Sequence, residues 1–221
     1  MLHMIIATRN RHKFRELVNL MKVRGIHWHA LDEFPHVPVI QETGRTFDAN
    51  ATRKARAVAK ATGYLVLADD SGLEVEALGG APGIQSARYA GSHGNDAANN
   101  EKLLRKLRGV FAHHRRAQYR CSLALASPVE LMAIRRGRWA GRIATSPAGS
   151  RGFGYDPIFV VPRFGKTVGQ LPMSVKQRLS HRAKAGRSMQ VFLTRLVSGL
   201  AASGRRQKFL AGNRRAQARV V

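Results

Sequence analysis

Acidic residues are scarce in this chain. Thirteen Asp and Glu stand against 38 Lys and Arg in 221 residues, a formal net charge of +25. Such a charge attracts polyanions, for which nucleotides, nucleic acid and acidic membranes all qualify, or it is simply a solvated, Arg-rich surface. Cysteine is scarcer still. The single Cys121 cannot close an internal disulfide, which suits a reducing cytoplasm, and its strand-like flanks describe a buried, inert thiol rather than a nucleophile. Long hydrophobic runs are missing: residues 191–202 are interrupted by Arg195, and no stretch reaches the roughly 20 residues of a membrane span. The N-terminus lacks a basic region ahead of its apolar residues, so no signal peptide is read there.

Several signatures are also absent. Gly165-Lys166-Thr167 resembles the end of a P-loop, but Val160 stands where the leading glycine is required. There is no Asp-x-Asp nucleophile motif and no acid-rich helix of the Nudix type. Against this background the few acids present are informative. Glu42, Asp48, Asp69, Asp70, Glu74 and Glu76 lie within one short stretch, and two of them are adjacent in Ala68-Asp69-Asp70-Ser71-Gly72. Adjacent carboxylates raise each other's pKa unless a cation or hydrogen bonds hold them, so a divalent metal is expected at the pair. The competing reading is an Asx-type turn.

The hydrophobic pattern is that of an α/β protein with a mixed sheet. Residues 4–8 read as a strand, and Phe14, Leu17, Val18 and Met21 as a helix face closed by Gly25. A second strand is expected at 26–31. Phe47, Ala51, Ala55 and Val58 line a helix ending at Gly63, and 64–68 is a buried strand whose C-terminal end delivers the aspartates. A helix follows at 95–107, a hairpin from 118–126 and 131–134, a strand at 158–161, and helices at 174–185 and 187–201. The expected organisation is one domain over 1–203 and a basic, disordered tail over 204–221, which holds Arg205, Arg206, Lys208, Arg214, Arg215 and Arg219 with no acid. Such a tail either contacts nucleic acid or is simply solvated.

Other segments are individually ambiguous. Thr8-Arg9-Asn10-Arg11-His12-Lys13 sits between a strand and a helix, where backbone N–H groups, a hydroxyl, an amide and a lysine can cradle phosphate, or form an ordinary polar loop. Asn50 and Lys54 share a helix face, with Glu42 just before that helix. Gly152-Phe153-Gly154-Tyr155-Asp156-Pro157 is either a platform for a flat ring or a tight turn with aromatic anchors. Lys176 and Ser180-His181-Arg182 are either surface or a set of donors.

Taken in order, Ala7 to Glu16, Glu42-Thr43-Gly44 with Phe47, Asn50-Ala51, Lys54-Ala55, Ala68 to Leu73, Leu78-Gly79-Gly80-Ala81-Pro82-Gly83, Ser86-Ala87-Arg88-Tyr89, the 152–159 run and Ser180-His181-Arg182 resemble the inosine/xanthosine triphosphate pyrophosphatases. The resemblance spans residues 4–200 and implies an elongated, two-lobed α/β fold around a central mixed sheet flanked by helices. It further implies a cytoplasmic homodimer that uses Mg²⁺ to convert non-standard purine nucleoside triphosphates (ITP, dITP, XTP) to monophosphate and pyrophosphate. Carried over residue by residue, Asp70 is the catalytic base, and Glu42 and Asp70 are the metal ligands. Thr8, Arg9, Asn10, Arg11, His12, Lys13 and Lys54 bind the triphosphate region. Ser71, Phe153, Gly154, Tyr155, Asp156, Lys176, His181 and Arg182 bind the rest of the nucleotide. Two positions depart from the family pattern: Ala49 and Val175 stand where glutamate is usual. The alternatives are a nucleic-acid binding protein on a degenerate enzyme fold, motivated by the charge, and a Maf-like pyrophosphatase, which the 8–13 segment fits poorly.

Overall fold

A computed structural model describes residues 1–92 and 94–202. The expected basic tail lies outside the described residues. Strand β1 (Leu2–Ile6) leads through a short loop into helix α1 (Arg11–Leu20). Asn10 sets the start of α1, because its side-chain oxygen accepts from the N–H groups of His12 and Lys13 at 2.9 and 3.1 Å. Strand β2 (Ile26–Ala30) runs parallel to β1, with His3 opposite His27. Helix α2 (Phe47–Thr62) is capped by Thr46, whose hydroxyl accepts from Ala49 N–H, and ends at Gly63 in the left-handed conformation, φ 75°. Then come β3 (Leu65–Val75), α3 (Asp96–Lys106), β4 (Arg116–Ala126), β5 (Leu131–Ile143), β6 (Phe159–Val161), β7 (Lys166–Thr167), α4 (Met173–Leu179) and α5 (His181–Ala202). The seven strands follow the order β2-β1-β3-β4-β5-β6-β7. β1 is parallel to both β2 and β3, whereas β6 is antiparallel to β5 and β7, so the expected mixed sheet is present.

Several elements differ from the pattern read in the sequence, and the short strand β7 was not read there. The aspartates do not end a strand: β3 continues past them to Val75, because Leu73 and Val75 resume the alternation and are fully buried. β5 runs to Ile143 rather than Ile134, its later half burying only alternate residues such as Trp139. The two C-terminal helices divide at Ser180, not near Gly186. Ser180 Oγ accepts from Ala183 N–H at 3.1 Å and caps α5, while Gly186 lies inside α5, where a β-carbon would sit 3.2 Å from Leu20.

The chain forms two compact units. The first comprises residues 1–70, 122–135 and 185 onward. Its core sets Ile5, Val66, Ala68 and Ala124 against Ala51, Ala55, Val58 and Ala59 of α2. Alanines on the helix let it lie close to the strands, with burial worth about 0.8 kcal/mol per methylene. The second unit comprises 71–121 and 136–184, and its core joins Leu73, Leu103, Leu107, Tyr119, Trp139, Tyr155 and Phe159. There the buried Arg115 guanidinium donates to the carbonyls of Leu107, Val110 and Ala144, closing the C-terminal end of α3.

Candidate active site

Strand geometry separates the two adjacent carboxylates. Successive side chains of β3 point to opposite faces, so Asp69 and Asp70 differ in their close partners although Lys13 acts on both. Asp69, only 1% exposed, faces Lys13 of α1, whose Nζ lies 3.7 Å from its Oδ2. Asp70 is 5% exposed, and its Oδ2 is buried without a hydrogen-bond partner. Burial raises the Asp70 pKa to about 6, with the negative charge of Glu42 adding to the rise and Lys13, Lys54 and the Asn50 amide opposing it. The like charge that perturbs Asp70 is therefore Glu42 and not its chain neighbour, which corrects the expectation of a mutually repelling Asp69-Asp70 pair.

Helix α2 places the groups around Asp70. Asn50 and Lys54 stand one turn apart, as their spacing requires, and both reach back to the loop that carries Glu42. Asn50 Oδ1 accepts from Gly44 N–H at 2.7 Å, and Lys54 Nζ pairs with the Glu42 carboxylate and also donates to the Asp69 carbonyl at 3.3 Å. Arg53 adds a bond to Thr43 Oγ1. Gly44 is demanded by packing, since a β-carbon there would stand 2.6 Å from Asn50 Oδ1. A buried carboxylate oxygen lacking a donor, with a second carboxylate close enough to raise its pKa, is a donor set that fits a hard divalent cation such as Mg²⁺. Asp48, beside the departing Ala49, accepts from Ser122 Oγ at 2.7 Å.

Within residues 8–13, Thr8 Oγ1 accepts from Asn10 N–H at 3.1 Å, Asn10 caps α1, and Arg9 donates to Val37 O at 2.9 Å. Arg11 and His12 are exposed at the helix start, and Lys13 reaches Asp69. The first unit thus gathers Lys13, Lys54, Glu42 and Asp70 into one charged set.

The second unit builds a different set around Asp156. Gly152 takes φ 82° and has no room for a β-carbon, which would lie 2.0 Å from Asp156 Oδ2. That oxygen accepts from Phe153 N–H at 2.9 Å and from Lys176 Nζ at 2.6 Å, while Oδ1 accepts from Tyr119 Oη at 3.2 Å. Burial, then the Asp156 charge, pushes the Tyr119 hydroxyl well above its ordinary pKa, so it remains a donor. His181 stacks on the Tyr119 ring at 4.6 Å. Lys176 Nζ lies 4.1 Å from the centre of the Phe153 ring and the Arg182 guanidinium 5.6 Å, and Arg182 also donates to Ser71 Oγ at 2.8 Å. The half-buried Phe153 ring is thereby held among fixed cations that can donate to a flat heterocycle.

The two aromatics of this loop part company. Tyr155 is a core residue whose hydroxyl donates to Ser86 O at 2.9 Å, so the anchoring reading holds for that ring, while Phe153 lies beside Lys176 and Arg182. Gly154 is fixed by Asp96, which accepts from its N–H at 2.6 Å, and by Asn100, which donates to its carbonyl at 3.0 Å. Asp96, Asn100 and Tyr119 were not read from the sequence. Asp96 had one usable signal, an acid in an acid-poor chain, whereas Tyr119 looks like any strand aromatic.

A model of the Ham1 family matches residues 4–192. The chain is 48% identical over 185 residues to the dITP/XTP pyrophosphatase of Geobacillus kaustophilus strain HTA426, covering 84% of this chain and 91% of that one. The solved structure of a HAM1 protein from Coxiella burnetii superposes with a TM-score of 0.81 at 41% identity, over 88% of this chain and all of the other. That of the nucleoside-triphosphatase / dITP/XTP pyrophosphatase of Mycobacterium abscessus gives 0.69 at 38% identity, over 89% and 97%. With most of its length matched at this identity, and with the fold shared, the chain belongs to the Ham1 family.

Proposed function

We propose that this protein hydrolyses non-standard purine nucleoside triphosphates, dITP, ITP and XTP, to nucleoside monophosphate and pyrophosphate. The observation that carries the reading is Asp70: a buried carboxylate with an unpartnered oxygen and a pKa of about 6, set beside Glu42, Lys13 and Lys54. At neutral pH it is ionised yet basic enough to take a proton from the water that attacks the α-phosphorus. Lys13 and Lys54 neutralise charge on the departing pyrophosphate, and Thr8, Asn10 and the N–H groups opening α1 complete an anion site. Glu42 and Asp70 would hold Mg²⁺, which when bound supplies positive charge to the phosphate oxygens.

The base is assigned to the second set. Phe153 stacks on the purine, Lys176 and Arg182 donate to a 6-keto oxygen, and Asp156 with Tyr119 and His181 positions them. A 6-amino group would leave such buried donors facing another donor, which disfavours adenine. The same reading makes the protein a cytoplasmic homodimer, to be checked by light scattering of the purified chain. Among the described residues no helix is long and apolar enough to cross a membrane.

The test is a nucleotide panel with product identification. XTP, ITP and dITP should yield monophosphate and pyrophosphate well ahead of ATP and GTP, and turnover should stop when Mg²⁺ is chelated. Release of orthophosphate, or equal use of ATP, would sink the reading.

A further inference from the structure

Outside the charged set, three histidines meet where β2 lies at one end of the strand order, against β1. His27 and His29 alternate onto one face of β2, and the parallel register puts His3 of β1 directly opposite His27. One ring nitrogen from each of the three can be chosen so that all lie within 4.8 Å of one another. The rings are close, with centroids 5.2 Å apart for His3 and His27, 5.2 Å for His3 and His29, and 4.7 Å for His27 and His29. His3 Nδ1 and His29 Nε2 are only 2.9 Å apart.

His29 is also oriented from behind. Its Nδ1 donates to Glu33 Oε2 at 2.8 Å, and the other Glu33 oxygen accepts from Ala30 N–H at 2.7 Å. Rings of Phe34 and Tyr64 flank it at 6.0 and 5.9 Å. A proton fixed on Nδ1 by a carboxylate leaves the Nε2 lone pair directed at the other imidazoles, which is the supporting arrangement that tunes histidine ligands in metal sites. His3 then carries the proton of the direct ring-to-ring contact on Nδ1, and shifting it to Nε2 frees that nitrogen as well.

We infer that His3, His27 and His29 form a binding site for one late first-row divalent transition cation, with zinc the suitable probe. Tetrahedral coordination at about 2.0–2.1 Å separates nitrogen ligands by roughly 3.4 Å, so the His3 and His29 nitrogens need open by only about half an ångström. Three imidazoles select such ions over Mg²⁺, which takes oxygen ligands, so this site is chemically distinct from the Glu42 and Asp70 pair. Bound there, the ion ties the end strand β2 to β1, and its remaining position takes water. Zinc binding at these histidines is independent of nucleotide hydrolysis.

The test uses the untagged full-length chain, stripped with a chelator and titrated with Zn²⁺ by calorimetry, with zinc-edge X-ray absorption on the loaded protein. One Zn²⁺ per chain with three nitrogen scatterers at about 2.0 Å is expected. In the His27→Gln/His29→Gln protein, whose circular dichroism should be unchanged because these residues sit at the rim of the sheet, affinity should fall at least tenfold and the zinc-induced rise in unfolding temperature should vanish. A Glu42→Gln/Asp70→Asn protein should keep the site. Unchanged zinc affinity after loss of the two histidines, an oxygen-dominated spectrum, or loss of zinc in the carboxylate variant would each overturn the inference.

Discussion

Asp70 is held in a state that the fold resists. Its carboxyl binds a proton more tightly in the folded protein, with a pKa of about 6, than at the ordinary value of 3.8. The folded state therefore carries the extra proton between these values, and stability contributed by this group is lost as pH rises toward and through about 6. In the metal-free protein the ionised carboxylate costs on the order of 2–3 kcal/mol at neutral pH. Asp70→Asn removes that charge beside Glu42. It is expected to raise the unfolding midpoint by several degrees at pH 8 but hardly at pH 4, while lowering turnover at least 100-fold. Calorimetry at both pH values and a pyrophosphate-release assay check this, and equal shifts at the two pH values would contradict it. Asp156 acts in the opposite sense. It sits within 2.6 Å of the buried Lys176, so Asp156→Asn removes the charge opposite the ammonium and replaces one of the two oxygens that accept from Phe153 N–H, Lys176 and Tyr119 with a donor. A loss of about 3 kcal/mol is expected in urea unfolding, and a neutral result would show that Lys176 finds another partner.

Among the elements, β3 and the 152–156 loop show how local pattern and context divide the work. The buried run from Leu65 was legible, but the strand's continuation was not, because Asp, Ser and Gly are depleted in strands and the sequence alone reads them as a turn. What carries them is the sheet beyond, where Leu73 and Val75 have a core to enter. The helix boundary at Ser180 was misplaced for a related reason. Gly186 looks like a terminator, yet in α5 it is a point of close approach to Leu20, and the true break is marked by a capping serine. Gly152 was legible only as part of a ring platform or a tight turn. Its φ of 82° and the nearness of Asp156 Oδ2 make Gly152→Ala expensive twice over, by conformation and by contact. That substitution should raise the KM for XTP at least tenfold through misplacement of Phe153, with a smaller change in kcat. Steady-state kinetics separate the two, and an unaltered KM would detach this loop from base recognition.

The charge of +25 belongs to the whole molecule, and it concerns encounter rather than chemistry. A strongly basic surface draws in a triphosphate, and salt shortens its reach from roughly 30 Å at 0.01 M to about 8 Å at 0.15 M. Across that range kcat/KM for XTP should fall several-fold while kcat stays nearly constant. A fall in kcat instead would place the salt effect on the bound complex.

The sequence by itself determined the order of strands and helices apart from the short β7, the face that Asn50 and Lys54 share, and, through ordered short motifs, the family. These are matters of periodicity and of residue type along the chain, and they survive without knowledge of the packing. It could not determine which carboxylate Asp70 meets. Proximity along the chain suggested Asp69, but the two-residue period of a strand sends neighbours to opposite faces, and the loop carrying Glu42 arrives only because Asn50 and Lys54 hold it. Nor could it show that Tyr155 is spent in the core while Phe153 stands among cations, or that His3 lies in register with His27. Each of these depends on residues distant in sequence being brought together, which is decided by the packing of the tertiary structure.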